Sequence, residues 1–205
     1  MLRESPTPSS VNRVPPIGMN LPNLLSLLRL ALAPVIVLAV LRGNFRVALG
    51  LALVAGLSDA ADGALARRFN WITRLGAYLD PIADKALLVG VYAALGVSGA
   101  LPLWLVGMVF LRDFLILLMA SVGYLVYKVR DFPPSLWGKV STILQVSAAV
   151  IVLTSRSFPQ VALNGIVLAA IALTAVGTAW SGAHYIWIGV TRLRQLRGVS
   201  PRSSH

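Results

Sequence analysis

DAADGALARRFNWITRLGAYLDPIAD, residues 59–84, places four carboxylates, Asp59, Asp62, Asp80 and Asp84, in sequence that is otherwise apolar on both sides. Asp59 and Asp62 stand three positions apart, and Asp80 and Asp84 four apart. On helices each pair shares one face, one turn from its neighbour. Two such helices lying side by side bring the two acidic faces together. Four negative charges in a low-dielectric setting repel, and each is costly if left unpaired. Bound divalent cations relieve that cost, and an all-oxygen donor set selects a hard ion, Mg²⁺ or Mn²⁺. Asp59, Asp62 and Asp80 are the expected metal ligands, with Asp84 as a further candidate.

Outward from this stretch the chain is a membrane sequence. Its 205 residues are 57% hydrophobic and only 12% charged, with a mean hydropathy of +0.79. A soluble domain carries about 25% charged residues. Apolar runs recur, each near the roughly 20 residues that cross a bilayer. The spacing predicts an all-α polytopic membrane protein with six transmembrane helices over about 22–41, 47–67, 75–97, 101–127, 136–155 and 160–191. Residues 1–18, rich in Pro, Ser and Arg, read as a disordered cytosolic tail without the apolar core of a signal peptide. Residues 19–192 form the helical domain, and 193–205 a basic disordered tail. With no cysteine there is neither a disulfide framework nor thiol chemistry.

Orientation follows from the basic residues. With both termini in the cytosol, the inside segments hold Arg67, Arg68, Arg74, Lys128, Arg130, Lys139, Arg192, Arg194 and Arg197 among others, and the outside loops only Arg42, Arg46 and Arg156. The four carboxylates then lie near the cytosolic surface. The net charge of +11 is read as a basic face against anionic lipid, with no nucleic-acid partner. Charges left within the spans are Arg29, Asp59, Asp62, Asp80, Asp84, Lys85, Arg112 and Asp113. An intramembrane ion is costly and marks either function or a buried ion pair. Acid elsewhere is scarce: beyond the central four there are only Glu4, Asp113 and Asp131.

The pattern Asp59-x2-Asp62-Gly63-x2-Ala66-Arg67-x8-Gly76-x3-Asp80-x3-Asp84 resembles the signature of the CDP-alcohol phosphotransferase family at each of its fixed positions. The opening Leu21-Pro22-Asn23-Leu24-Leu25-Ser26-Leu27-Leu28-Arg29 and the phrase Gly76-Ala77-Tyr78-Leu79-Asp80-Pro81-Ile82-Ala83-Asp84-Lys85 are similar to the cardiolipin synthase and phosphatidylglycerophosphate synthase branch. The resemblance implies a six-helix membrane enzyme, usually a homodimer, with a two-metal site at the cytosolic edge of a cell membrane. Such an enzyme transfers a phosphatidyl group from CDP-diacylglycerol to an alcohol and releases CMP. It implies Asp84 as general base, a role a carboxylate within hydrogen-bond reach of a hydroxyl can fill. Asp62, Gly63, Ala66, Arg67 and Gly76 are expected to bind CDP-diacylglycerol. Gly63, Ala66 and Gly76 either let helices approach or leave room for the nucleotide, and Arg67 offers a bidentate contact to pyrophosphate.

The acceptor is expected to be glycerol-type, with Arg112 and Lys139 as candidate contacts. In the fifth span Gly138-Lys139-Val140-Ser141-Thr142 carries Ser141 where the phosphatidylglycerophosphate synthase pattern has a second Lys. Fewer cations favour a phosphate diester, phosphatidylglycerol, over glycerol 3-phosphate. Other alcohols, such as inositol phosphate or serine, remain open. A covalent-histidine route built on His-x-Lys is excluded, because His184 and His205 are the only histidines and neither begins that motif. An ion-coupled carrier is the alternative from another class. It finds no internal repeat here and no role for the fixed Gly, Ala and Arg positions.

Overall fold

The computed structural model describes residues 21–69, 74–127 and 136–198, and the expected tail at 1–18 lies outside the described residues. Those residues form six helices: α1 Leu21–Leu41, α2 Phe45–Phe69, α3 Arg74–Val97, α4 Leu103–Tyr127, α5 Leu136–Ser157 and α6 Asn164–Gly198. Each expected span falls on one helix. Two ends differ. α6 begins only at Asn164, because α5 runs on to Ser157 and the chain then turns over 158–163. At its other end α6 continues through Arg197 to Gly198, past the tail boundary expected at 192. Arg, Leu and Gln are good helix formers, which carries the helix past that boundary.

Among the described residues, α5 and the Asn164–Gly189 part of α6 are long and apolar enough to cross a membrane. Only 33% and 22% of their apolar windows are buried inside the protein, whereas a soluble core helix of this length is mostly buried. Large apolar side chains face outward on other helices too, including Leu57 of α2 and Leu111, Phe114 and Leu117 of α4. Pro34 sits inside α1. It leaves one carbonyl of the preceding turn without its helical donor, an arrangement that membrane helices tolerate where neighbours pack closely.

α1 packs against α2 and α3, α5 against α2, α3 and α6, and α4 against α3 and α6. The apolar core gathers at one end of this bundle. It contains Ile36 and Val40 of α1, Leu49 of α2, Tyr92 and Leu95 of α3, Leu105 and Val109 of α4, and Val152 and Leu153 of α5. The turns at that end are short. Gly43 (φ 75°) and Gly99 (φ 67°) adopt the left-handed conformation that terminates α1 and α3. Asn44 N donates to Ala39 O at 2.8 Å and Gly43 N to Val40 O at 2.9 Å. Ala100 N and Gly99 N repeat the pattern on Leu95 O and Gly96 O at 2.8 and 3.1 Å. Both are Schellman caps, which satisfy the last carbonyls and reverse the chain without a long loop.

A polar seam runs through the middle of the bundle. The Tyr92 hydroxyl donates to Gln145 O at 2.9 Å, and Gln145 Nε2 reaches Ser141 Oγ and Thr178 Oγ1 at 3.4 and 3.3 Å. Thr174 Oγ1 donates to Leu144 O at 3.2 Å. These bonds tie α5 to α3 and α6, a contribution that matters where lipid removes the usual hydrophobic drive between helices.

The caps provide a direct test. A Cβ at Gly99 meets no atom within 4 Å, so Gly99→Ala isolates the backbone term. It is expected to lower stability by about 1 kcal/mol. Gly107→Ala, in the interior of α4 with equally open surroundings, is expected to raise it. Thermal unfolding of the purified protein in detergent measures both.

Candidate active site at the polar end of the bundle

The end opposite the glycine caps holds Arg29, Asp59, Asp84, Lys85, Arg112 and Asp113. Arg29 lies near the start of α1, the helix that touches both α2 and α3. It is 4% exposed. One guanidinium nitrogen, NH2, binds Asp59 of α2, and the other, NH1, binds Asp84 of α3. A single buried cation therefore draws together the first and last acids of the central motif. Their side chains remain 46% and 53% exposed, so both keep a face open to a ligand. Arg29 stands out in the sequence only as an unpaired charge in the first span, and its partners emerge from helix packing.

The remaining motif residues follow on the same two helices. α2 stays helical through Asp62, Gly63, Ala66 and Arg67, and α3 through Gly76 and Asp80. The three- and four-residue spacings are thus true helical turns. The side chains of Asp62, Ala66, Arg67 and Asp80, and the surroundings of Gly63 and Gly76, lie outside the described residues.

A second cluster adjoins the first. Lys85, next to Asp84 in sequence, pairs with Asp113 of α4. Asp113, 6% exposed, also accepts from Arg112 NH1 at 2.9 Å. Two cations thus match one buried carboxylate. Arg112 spends its other donors on α5 and α6. Its Nε and NH2 reach Ser181 Oγ at 3.3 and 2.9 Å, NH2 also reaches Gly138 O at 3.4 Å, and the guanidinium lies 5.9 Å from the Tyr185 ring centroid. The bland alternative for Arg112 and Asp113, a mutual ion pair, is therefore present.

It does not remove Arg112 from a site. Arg112, Lys139, Thr142 and Tyr185 line one cavity of about 520 Å³ with Ile116 and Ile143. Both expected acceptor contacts thus share it. Ser141 does not. It is fully buried and faces Thr178 at 3.5 Å across the α5–α6 seam. The cations of the cavity are therefore Arg112, which shares Asp113 with Lys85, and the exposed Lys139. Ser181 and Tyr185 carry no signal in the sequence, since nothing there shows which face of α6 meets α4.

Among the described residues no group of three His, Asp or Glu side chains is placed to hold a metal. Asp59 and Asp84 are the two motif acids whose side chains are described. Their chemistry fits the hard, oxygen-ligated ion inferred from the sequence. Each comes from a different helix, both are half open, and both accept a cation now. Removing that cation is expected to be costly. Arg29→Gln should lower unfolding stability by about 2 kcal/mol, below the 3–5 of a fully buried pair because the carboxylates are half exposed. Chemical denaturation in detergent reads the change.

Comparison with known proteins places the chain. The profile of the CDP-alcohol phosphatidyltransferase family matches residues 19–192. A protein of Mycobacterium tuberculosis described as a probable phosphatidylglycerophosphate synthase is 33% identical over 193 residues, 90% of this chain and 87% of its own length. A cardiolipin synthase (CMP-forming) of Streptomyces coelicolor is 34% identical over 188 residues, 87% of this chain and 83% of its own. The cardiolipin synthase (CMP-forming) of Rattus norvegicus is 41% identical over 119 residues, 57% of this chain, but the match spans only 38% of that protein's length. The match extends from the helix of Arg29 through that of Tyr185 and includes both acidic helices, so the resemblance drawn from the motif is met: the chain belongs to the CDP-alcohol phosphatidyltransferase family.

Proposed function

We propose that this chain is a divalent-metal-dependent phosphatidyltransferase of phospholipid biosynthesis. It moves a phosphatidyl group from CDP-diacylglycerol to a glycerol-type acceptor and releases CMP. The observation that carries the reading is the convergence of Asp59 and Asp84, from two helices, on Arg29 at one end of the bundle. The family match and the names of relatives that align over most of their length support the same chemistry. In this reading all six helices cross a cell membrane, the polar end faces the cytosol, and the working unit is a homodimer.

The acceptor hydroxyl attacks the lipid-side phosphorus of the pyrophosphate. A new P–O bond forms, the bond to CMP breaks, and CMP departs with the electron pair. Asp84 takes the hydroxyl proton. Arg29 keeps Asp59 and Asp84 facing one another, and Arg67 holds the pyrophosphate through paired N–H donors. Gly63, Ala66 and Gly76 leave room for the nucleotide beside the backbone, with Asp62 at its edge. Asp59, Asp62, Asp80 and Asp84 are the side chains that would hold two Mg²⁺ or Mn²⁺ ions, which when bound neutralise charge on the phosphoryl oxygens and on the leaving group.

Between the two glycerol-type acceptors, the 520 Å³ cavity favours phosphatidylglycerol. Arg112 shares Asp113 with Lys85 and spends its remaining donors on Ser181 and Gly138, so Lys139 is the cation of this wall with no ion pair among the described residues. One uncommitted cation suits a singly charged diester better than the dianion of glycerol 3-phosphate. The apolar Ile116 and Ile143 in the same wall also suit a lipid acceptor.

Purified protein in detergent with CDP-diacylglycerol and Mg²⁺ should release CMP only when an acceptor is added. Chelation should abolish release, and Mg²⁺ should restore it. Asp84→Asn should lower the rate by about 10²- to 10⁴-fold with folding retained, and Asp80→Asn should abolish it. CMP release that ignores all three changes would sink the reading, as would ion flux through vesicles in its place. Offered phosphatidylglycerol, glycerol 3-phosphate, inositol phosphate and serine in parallel, the protein should yield cardiolipin by mass spectrometry. Lys139→Met should raise KM for that acceptor about tenfold, the loss of one charge-assisted contact, without changing KM for CDP-diacylglycerol.

A further inference from the structure

The apolar end of the bundle carries a charge imbalance that catalysis does not use. Residues 36–53, 91–106 and 148–171 build this end and contain no Asp or Glu, yet they hold Arg42, Arg46 and Arg156. Neither Arg46 nor Arg156 makes an ion pair among the described residues. Both are nonetheless held in place. Arg46 Nε donates to Ser157 O at 3.0 Å, and its guanidinium lies 5.6 Å from the Phe158 ring centroid. Arg156 NH2 donates to Gly99 O at 2.9 Å. The two side chains line one recess of about 440 Å³, floored by the α1–α2 turn. Against it lies a groove of about 680 Å³ that shares Phe45, Arg156 and Pro159 and continues over Val152, Val161, Val167, Leu168 and Ile171.

We propose that this recess and groove form a binding site for an anionic phospholipid of the membrane leaflet opposite the catalytic end. The phosphodiester sits between Arg46 and Arg156, and one acyl chain runs along the apolar groove. Charge complementarity carries the assignment. Guanidiniums already fixed by carbonyls lose little freedom on meeting a phosphate, and no acid among the described residues competes for them. A free anion fits the recess but leaves the groove unfilled, whereas a phospholipid fills both. Arginines at this end also run against the usual concentration of basic residues on the cytosolic side, which a lipid counter-charge explains. The proposal rests on the bundle spanning a bilayer and is independent of the catalytic reading.

The chain has no cysteine, so Val161→Cys labelled with a bimane fluorophore reports from the groove alone. In vesicles of phosphatidylcholine, brominated phosphatidylglycerol should quench the label at about a 25-fold lower mole fraction than brominated phosphatidylcholine. That scale follows from the gain of each arginine near an anionic headgroup, about fivefold. Arg46→Gln with Arg156→Gln should remove the preference, whereas Arg46→Lys with Arg156→Lys should keep most of it. Asp84→Asn in the same labelled chain should leave the preference intact, which separates this site from the active site. Equal quenching by the two lipids, or a preference that survives the double Gln change, overturns the proposal. Loss of the preference on adding millimolar inorganic phosphate assigns the recess to free anions and overturns it equally.

Discussion

A guanidinium that is 4% exposed inside an apolar bundle must be matched by negative charge. Arg29 meets that requirement with one carboxylate from each neighbouring helix. Taking ions out of water costs several kcal/mol apiece, and only paired geometry recovers it. The consequence is geometric as much as energetic. α2 and α3 cannot rotate independently about their axes without breaking a contact to α1. Every other motif residue sits within a few turns of Asp59 or Asp84, so the orientation of the whole acidic hairpin depends on this shared cation.

The same logic governs the next layer. Lys85 and Arg112 both address Asp113, which places α3 beside α4, and the spare donors of Arg112 reach Gly138 of α5 and Ser181 of α6. Adjacent residues in sequence, Asp84 with Lys85 and Arg112 with Asp113, thus join the carboxylates around Arg29 to the cavity that Arg112 and Lys139 line. At the other end the order is different. Schellman caps at Gly43 and Gly99 close the turns tightly, and the apolar core packs beneath them. The bundle is held by packing at one end and by paired charge at the other. The polar seam of Tyr92, Gln145 and Thr178 lies between.

Much of this was legible in the sequence. Apolar runs of spanning length predicted six helices, and each emerged within a few residues of its expected ends. The exceptions have local causes: α5 ran on to Ser157 and the turn over 158–163 delayed α6, and the helix-forming Arg-Leu-Arg-Gln-Leu-Arg run carried it to Gly198. The acidic spacing survived as real helical turns. The limits of legibility were pairings. Arg29 and Lys85 were visible as costly charges, but a side chain's partner 30 or 55 residues away follows from which helices touch. Ser141 shows the converse. It stands where a related pattern has a second Lys, two residues from Lys139, while the rotation of α5 turns it into the seam with α6.

By itself the sequence determined the chemistry on offer. It set the number of helices, the oxygen-only donor set, the absence of thiols, and the confinement of acid to one region, because composition and period are properties of the chain. Only the tertiary structure decided which charges neutralise one another, that Arg112 and Lys139 share a cavity, and that Arg46 and Arg156 line one recess with no acid of the described residues in its wall. Those outcomes depend on helix rotation and crossing. In an apolar bundle these are set by the summed packing of many side chains, which no single stretch encodes.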